Sequence, residues 1–265
     1  MTPLLKLLAL NKGRGFFRAE ATAEEATIYV YDVIVSDAFW GGITALDFIK
    51  ELAKITAPVI HLRINSPGGD VFAARAMVQV MKEHPSQIIA HVDGYAASAA
   101  TFLVVAADKS QISDGAMFMI HNAWTIAMGS AKDFADMANL LERTDQTIAN
   151  DYMAKTGQTE QQIKDWMAAE TYFFGQEAID AGFIDGMNEA LPKNKIQWDL
   201  SAYAKAPPPK ETIENNNFPD PEPDPEQEEG NEDEQTEILL QQNKNRLRLM
   251  QSRTKHTTTR KAQAA

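Results

Sequence analysis

Residues 58–70 read Pro58-Val59-Ile60-His61-Leu62-Arg63-Ile64-Asn65-Ser66-Pro67-Gly68-Gly69-Asp70. The run Val59–Ile64 is rich in β-branched residues and closes on a cluster of turn formers, which predicts a strand ending at a glycine pair. Beyond it, Phe72, Ala76 and Val80 with Ala73, Met77 and Met81 recur at helical spacing, and Pro85 ends the pattern. A strand that turns through glycines into a helix is one βα unit.

The unit repeats on both sides. Upstream, Ile28–Val35 has strand composition, and Leu46, Ile49, Leu52 and Ile55 give a helix over 44–55. Downstream, Ile88–Val92 predicts a strand, with a small-residue helix beginning within Gly94–Ala107. Short strands follow around Gln111–Ser113 and Met117–Ile120. A long helix is expected over Ser130–Lys155, with Phe134, Met137, Leu141, Ile148 and Tyr152 on one side, and a further one over Glu160–Met167. Alternating strands and helices predict an α/β fold with mostly parallel strands and right-handed crossovers. In such folds, sites form where loops leave the carboxyl ends of strands.

Three of those exits carry chemistry, each with an ordinary alternative. Gly68-Gly69 entering a helix can turn bare backbone N–H groups toward a ligand, or can simply make a tight turn. Ser98, within Gly94-Tyr95-Ala96-Ala97-Ser98-Ala99-Ala100, can expose its hydroxyl at a helix N-terminus, or can cap that helix. His121, at the end of Met119-Ile120-His121-Asn122, can be a base or a hydrogen-bonded core histidine.

Composition narrows the choices. The 265 residues include no cysteine, which excludes disulfides, thiolate metal sites and a cysteine nucleophile. A net charge of −12 argues against a surface that coats nucleic acid. The longest apolar run, Phe102–Ala107, falls far short of the roughly 20 residues that span a bilayer. Leu4–Leu10 reads as a short helix or arm rather than a signal peptide. The expectation is a soluble, cytoplasmic protein. No internal repeat of 20–50 residues stands out.

The charge is segregated. Glu211–Glu237 holds 12 acidic and no basic residues, and Ile238–Ala265 holds 7 basic and no acidic ones. Pro207-Pro208-Pro209 opens this region, and Pro219, Pro221, Pro223 and Pro225 recur inside the acidic block. So little apolar surface cannot offset the entropy of ordering. The expected organisation is an N-terminal arm (1–24), a folded α/β domain (25–205), an acidic disordered linker (206–237) and a basic tail (238–265). That tail is read either as a solubilising end or as a helix that docks on an acidic partner.

Taken together, the Ser-Pro-Gly-Gly turn, the Ala-Ala-Ser serine and the Met-Ile-His histidine resemble the proteolytic subunit of Clp proteases, in order and spacing. Thr156-Gly157-Gln158, Glu177-Ala178 and Gly182-Phe183-Ile184-Asp185-Gly186 extend the likeness over about Thr27–Met187. The resemblance implies a fold of repeated ββα units, shared with crotonases, and a long handle helix. It implies a serine peptidase with Ser98 as nucleophile, His121 as base and the N–H groups of Gly69 and Ala99 as oxyanion hole. Gly68, Gly69 and Asn122 would bind substrate, held as an added strand. The third triad position falls on Glu170, where the family has aspartate, with Asp165 as the fallback. No cofactor or metal is implied. Partners would be protein substrates and further copies of the chain in a ring or double ring, with no membrane and no nucleic acid for the enzyme domain.

Asp37-Ala38-Phe39-Trp40-Gly41-Gly42-Ile43-Thr44, Glu170-Thr171-Tyr172-Phe173 and the long tail are similar to the Clp-related head-maturation proteases of tailed phages. That likeness implies scaffold and capsid proteins as substrates, cleaved within proheads without an ATPase. Ala123–Gly129 departs from the family's glycine-rich segment. The alternatives are a bacterial Clp subunit working with an unfoldase, a crotonase-type acyl-CoA enzyme, and an inactive scaffold protein.

Overall fold

The computed structural model describes residues 3–188 and 198–207. From residue 208 onward, the expected acidic linker and basic tail lie outside the described residues.

The chain opens with helix α1 (Pro3–Asn11) and strand β1 (Phe16–Ala21), which pairs antiparallel with β2 (Glu25–Tyr31). A small parallel pair, β3 (Ile34–Val35) and β4 (Ile43–Thr44), brackets a 3-10 turn at Ala38–Trp40. Helix α2 (Ala45–Leu52) is capped by Thr44 Oγ1, which accepts from the Asp47 N–H. It leads to β5 (Val59–Ser66), α3 (Val71–Glu83) and β6 (Gln87–Ala97). Then come α4 (Ala100–Ala106), β7 (Lys109–Ile112) and β8 (Met117–Ile120). The handle α5 (Ala131–Thr156) and helix α6 (Glu160–Ala168) follow, then β9 (Thr171–Phe174), α7 (Gln176–Asp180) and β10 (Gly186–Met187).

The expected α/β architecture is present. β2, β5, β6, β7 and β10 form a continuous parallel ladder, with β1 at one edge. β8 leaves this plane: it pairs parallel with the last residues of β6 and antiparallel with β9. β6 is therefore shared. Its first half bonds β5 and β7, and Tyr95–Ala97 bonds β8.

This sharing corrects one expectation. Gly94–Ala97 is strand, and the helix begins only at Ala100. Alanine and glycine fit either state, and the partner strand β8 decides it. At Gly94 an added Cβ would lie 2.9 Å from Asn65 Oδ1.

Two helix faces also differ from the reading. On α3 the buried stripe is Ala73, Ala74, Met77, Val78 and Met81, while Phe72 points to solvent at 67% exposure. On α2, Phe48 and Leu52 are buried and Leu46 is exposed. The handle behaves in two halves. Ile148, Ala149 and Tyr152 join the core, whereas Phe134 and Leu140 stand exposed. Among the described residues, no helix is long and apolar enough to cross a membrane.

The main core lies between the sheet and the helices, around Ile28, Ile60, Leu62, Ile64, Met77, Leu103 and Phe183. A second apolar cluster joins Leu7, Val33, Val35, Ala97, Met117 and Met119 to Trp198, Leu200 and Tyr203. It lies where β5, β6 and β8 deliver the three exits singled out above.

Candidate active site

Strand β6 ends at Ala97, and the chain reverses into α4 through Ser98. The Ser98 N–H donates to the Met119 carbonyl at 2.8 Å, so β8 holds the turn from one side. The Ser98 carbonyl accepts from the Thr101 N–H at 3.0 Å and from Thr101 Oγ1 at 2.5 Å. Thr101 is in turn tied to Tyr152 on the handle, with the two hydroxyls 2.6 Å apart. Thus pinned, Ser98 adopts φ 53°, a left-handed conformation that L-residues rarely hold. Among the described residues the only other non-glycine with positive φ is Glu170, at 50°. Strain of this kind costs on the order of 1–3 kcal/mol and collects at functional turns, where the surroundings enforce it.

His121 follows β8 directly, and its Nε2 lies 2.7 Å from Ser98 Oγ. Burial lowers its pKa to about 4, against a smaller upward pull from Glu170. The imidazole is therefore neutral at pH 7. In the Nδ1-protonated tautomer it accepts the Ser98 hydroxyl proton, the arrangement that activates a serine nucleophile.

The glycine turn packs against the same serine. Gly68 has φ 87°, and an added Cβ would meet the Ala97 carbonyl at 2.3 Å and Ser98 Cβ at 2.9 Å. Ile34 bridges the turn: its N–H donates to the Gly68 carbonyl at 2.8 Å, and its carbonyl accepts from the Asp70 N–H at 2.9 Å. This ladder consumes one edge of the turn and leaves the Gly69 N–H outside it. The Ala99 N–H precedes α4 and belongs to the donors that a helix start leaves without an intrahelical acceptor. Gly68 in this turn meets Ser98, and the Ala99 N–H follows the serine directly in the chain. Asn122 is exposed beside His121.

Glu170 sits at the tight connection between α6 and β9. Its carboxylate accepts from Tyr172 Oη at 2.9 Å, from the Ala204 N–H at 3.0 Å and from the Lys205 N–H at 2.5 Å. The structure thus brings Glu170 within electrostatic reach of His121 but commits its hydrogen bonds elsewhere. Asp165 lies five residues earlier on α6, where it accepts from Gln161 Nε2 at 2.8 Å.

Tyr203 was not anticipated. Its ring stands edge-on to the His121 imidazole at 5.1 Å, and its hydroxyl donates to the Pro67 carbonyl at 2.5 Å. Burial pushes its pKa up, and a hydrogen-bonding interaction with Ser98 pulls the other way. The available sequence signal was the aromatic spacing Trp198…Tyr203 just before the proline run. Among the described residues, no group of three or more His, Asp or Glu is placed to hold a metal ion.

Comparison with known proteins adds independent information. The Clp protease family model matches residues 20–190. The ATP-dependent Clp protease proteolytic subunit 1 of Leifsonia xyli is 32% identical over 133 residues, which is 49% of this chain and 68% of that protein. Proteolytic subunit 2 of Corynebacterium glutamicum is 35% identical over 128 residues, 48% of this chain and 64% of that protein. Proteolytic subunit 1 of Corynebacterium jeikeium is 35% identical over 128 residues, 48% of this chain and 68% of its own length.

Proposed function

Because this chain belongs to the Clp protease family, we propose that it is a serine endopeptidase in which Ser98 and His121 form the working pair. The observation that carries this reading is the 2.7 Å contact between Ser98 Oγ and a neutral His121 Nε2 on a strained turn. Ser98 Oγ attacks the scissile carbonyl while His121 takes its proton. The imidazolium then protonates the leaving amine, and water hydrolyses the acyl-enzyme by the same relay. The N–H groups of Gly69 and Ala99 stabilise the oxyanion. The open side of Gly69, with Gly68 and Asn122 next to it, receives the substrate backbone as an added strand.

Glu170 is the orienting acid in this scheme. A carboxylate at Nδ1 holds the productive tautomer and stabilises the imidazolium, and glutamate can do this as well as aspartate. Glu170→Gln is expected to lower kcat by up to about 10⁴-fold, the scale seen when an orienting carboxylate is made neutral. Asp165→Asn is expected to leave kcat unchanged. A fully active Glu170→Gln enzyme would remove the assignment.

The named relatives are all proteolytic subunits of ATP-dependent Clp proteases. They favour a Clp-type subunit that works with an unfoldase over the head-maturation reading, which rests on Asp37–Thr44, Glu170–Phe173 and the charge-segregated tail. Assembly into a ring finds support in apolar side chains that one copy leaves uncovered: Phe134 and Leu140 on the handle, and Trp124, Ile126 and Met128 just before it. The deciding assay gives the purified enzyme a short peptide and a folded protein, both without ATP. The Clp-type reading expects peptide cleavage and no degradation of the folded protein. ATP-free cleavage of a capsid or scaffold protein would instead support head maturation.

A further inference from the structure

Tyr203 belongs to a segment that covers the catalytic pair, and every stage of that cover has a named contact. Trp198 Nε1 donates to the Asn65 carbonyl at 2.9 Å and to Asn65 Oδ1 at 3.0 Å, at the end of β5. Helix α1 grips the next residues. Asn11 Nδ2 donates to the Asp199 carbonyl at 2.9 Å, Asn11 Oδ1 accepts from the Asp199 N–H at 2.7 Å, and Lys6 Nζ reaches the Ser201 carbonyl at 2.5 Å. Trp198, Leu200 and Tyr203 pack in one apolar cluster with Val33, Val35, Ala97 and Met119. Tyr203 then lies against His121 and hydrogen-bonds the Pro67 carbonyl, which immediately precedes the oxyanion turn. Ala204 and Lys205 donate their backbone N–H groups to the Glu170 carboxylate, and Lys205 Nζ reaches the Ala169 carbonyl at 2.5 Å.

Two effects on catalysis follow from these contacts. The phenol ring stands beside His121, with its hydroxyl on Pro67 and in reach of Ser98, on the side from which an acyl group would have to approach Oγ. The carboxylate that should orient His121 is held by two backbone donors of the same segment. Access and triad assembly are thus blocked together, although the Ser98–His121 contact itself is already made.

We propose that residues 198–205 form an autoinhibitory segment, with Tyr203 occupying the substrate cleft and the Ala204–Lys205 backbone diverting Glu170 from His121. The proposal rests on the serine-peptidase reading above. Release of the segment opens an apolar cleft shaped for an aromatic side chain and frees Glu170 to turn toward Nδ1. The enzyme turns over only in the fraction of molecules that have released it, and the apparent rate falls in proportion to that fraction.

The test uses the full chain and three variants: Tyr203→Ala, which empties the cleft; Ala204→Pro, which removes an N–H donor to Glu170 at an exposed position; and Ser98→Ala. Two rates are measured, covalent labelling by a fluorophosphonate and hydrolysis of a fluorogenic peptide, with folding checked by circular dichroism. The wild type is expected to label slowly and Ser98→Ala not at all. Tyr203→Ala and Ala204→Pro are expected to label and hydrolyse about tenfold faster or more, as depletion of a closed population requires. Equal Ser98-dependent rates in the wild type and both cleft variants would overturn autoinhibition and leave the peptidase reading standing. Slower rates in the folded variants would also overturn it, because the segment would then be completing the site. If no form labels, both readings fall. Should Tyr203→Ala not fold, Ala204→Pro decides alone.

Discussion

Ser98→Ala is expected to reduce peptide hydrolysis by about 10⁴-fold or more, the loss that follows removal of a covalent nucleophile from a unit that works together. The chain has no cysteine, and the nearby hydroxyl of Thr101 is spent on the Ser98 carbonyl and on Tyr152. Folding should survive, because the structural bonds of residue 98 are made by its backbone N–H and C=O rather than by Oγ. His121→Ala should cost as much, since the pair acts as one unit and a serine hydroxyl without its base is a poor nucleophile. Steady-state kinetics alongside thermal melting would check both variants. A Ser98→Ala enzyme that retained a tenth of its activity would contradict the mechanism.

The second large effect is expected at Gly69. Its φ of 143° is one that L-residues with a side chain rarely adopt, and an added Cβ would lie 2.0 Å from the Ile34 carbonyl oxygen. Gly69→Ala must therefore push β3 off the turn and break the two bonds by which Ile34 brackets it. With the Gly69 N–H in its proposed role as oxyanion donor, displacing the turn that carries it should cost about 10²–10³-fold in kcat. A drop in melting temperature should accompany that loss. Gly186→Ala in β10 is the matched control: its Cβ meets nothing within 4 Å, and its backbone is not in the left-handed region. Gly69→Ala with normal kcat and an unchanged melting point would show that the turn is neither strained nor catalytic.

How legible these features were depends on the kind of signal each one left. The βα alternation, the handle helix and the strand before Gly68-Gly69 followed from local periodicity, since burial of one face imposes period 2 or 3.6 on a sequence. The pairing of Ser98 with His121 could be inferred only through the resemblance, because residues 23 apart meet by way of the β6–β8 ladder. Faces were less legible than elements. Phe72 and Leu46 fit a helical stripe yet point outward, and only the packing of α2 and α3 on the sheet selects which stripe is buried. The strand β1 and the Gly94–Ala97 continuation of β6 were missed because each is fixed by pairing with a neighbouring strand, β2 and β8, rather than by a pattern of its own. Trp198–Lys205 was hardest to anticipate. It has no periodicity of its own and owes its position to long-range bonds with Asn11, Asn65 and Glu170.

The role of Ser98 as an activated nucleophile is tested most directly by site-mapped covalent labelling. The protein is incubated with a fluorophosphonate and digested, and the modified peptide is sequenced by mass spectrometry. A single adduct is expected on Ser98, absent from both Ser98→Ala and His121→Ala. An adduct on a different residue, or labelling of Ser98 that persists undiminished in His121→Ala, would contradict it.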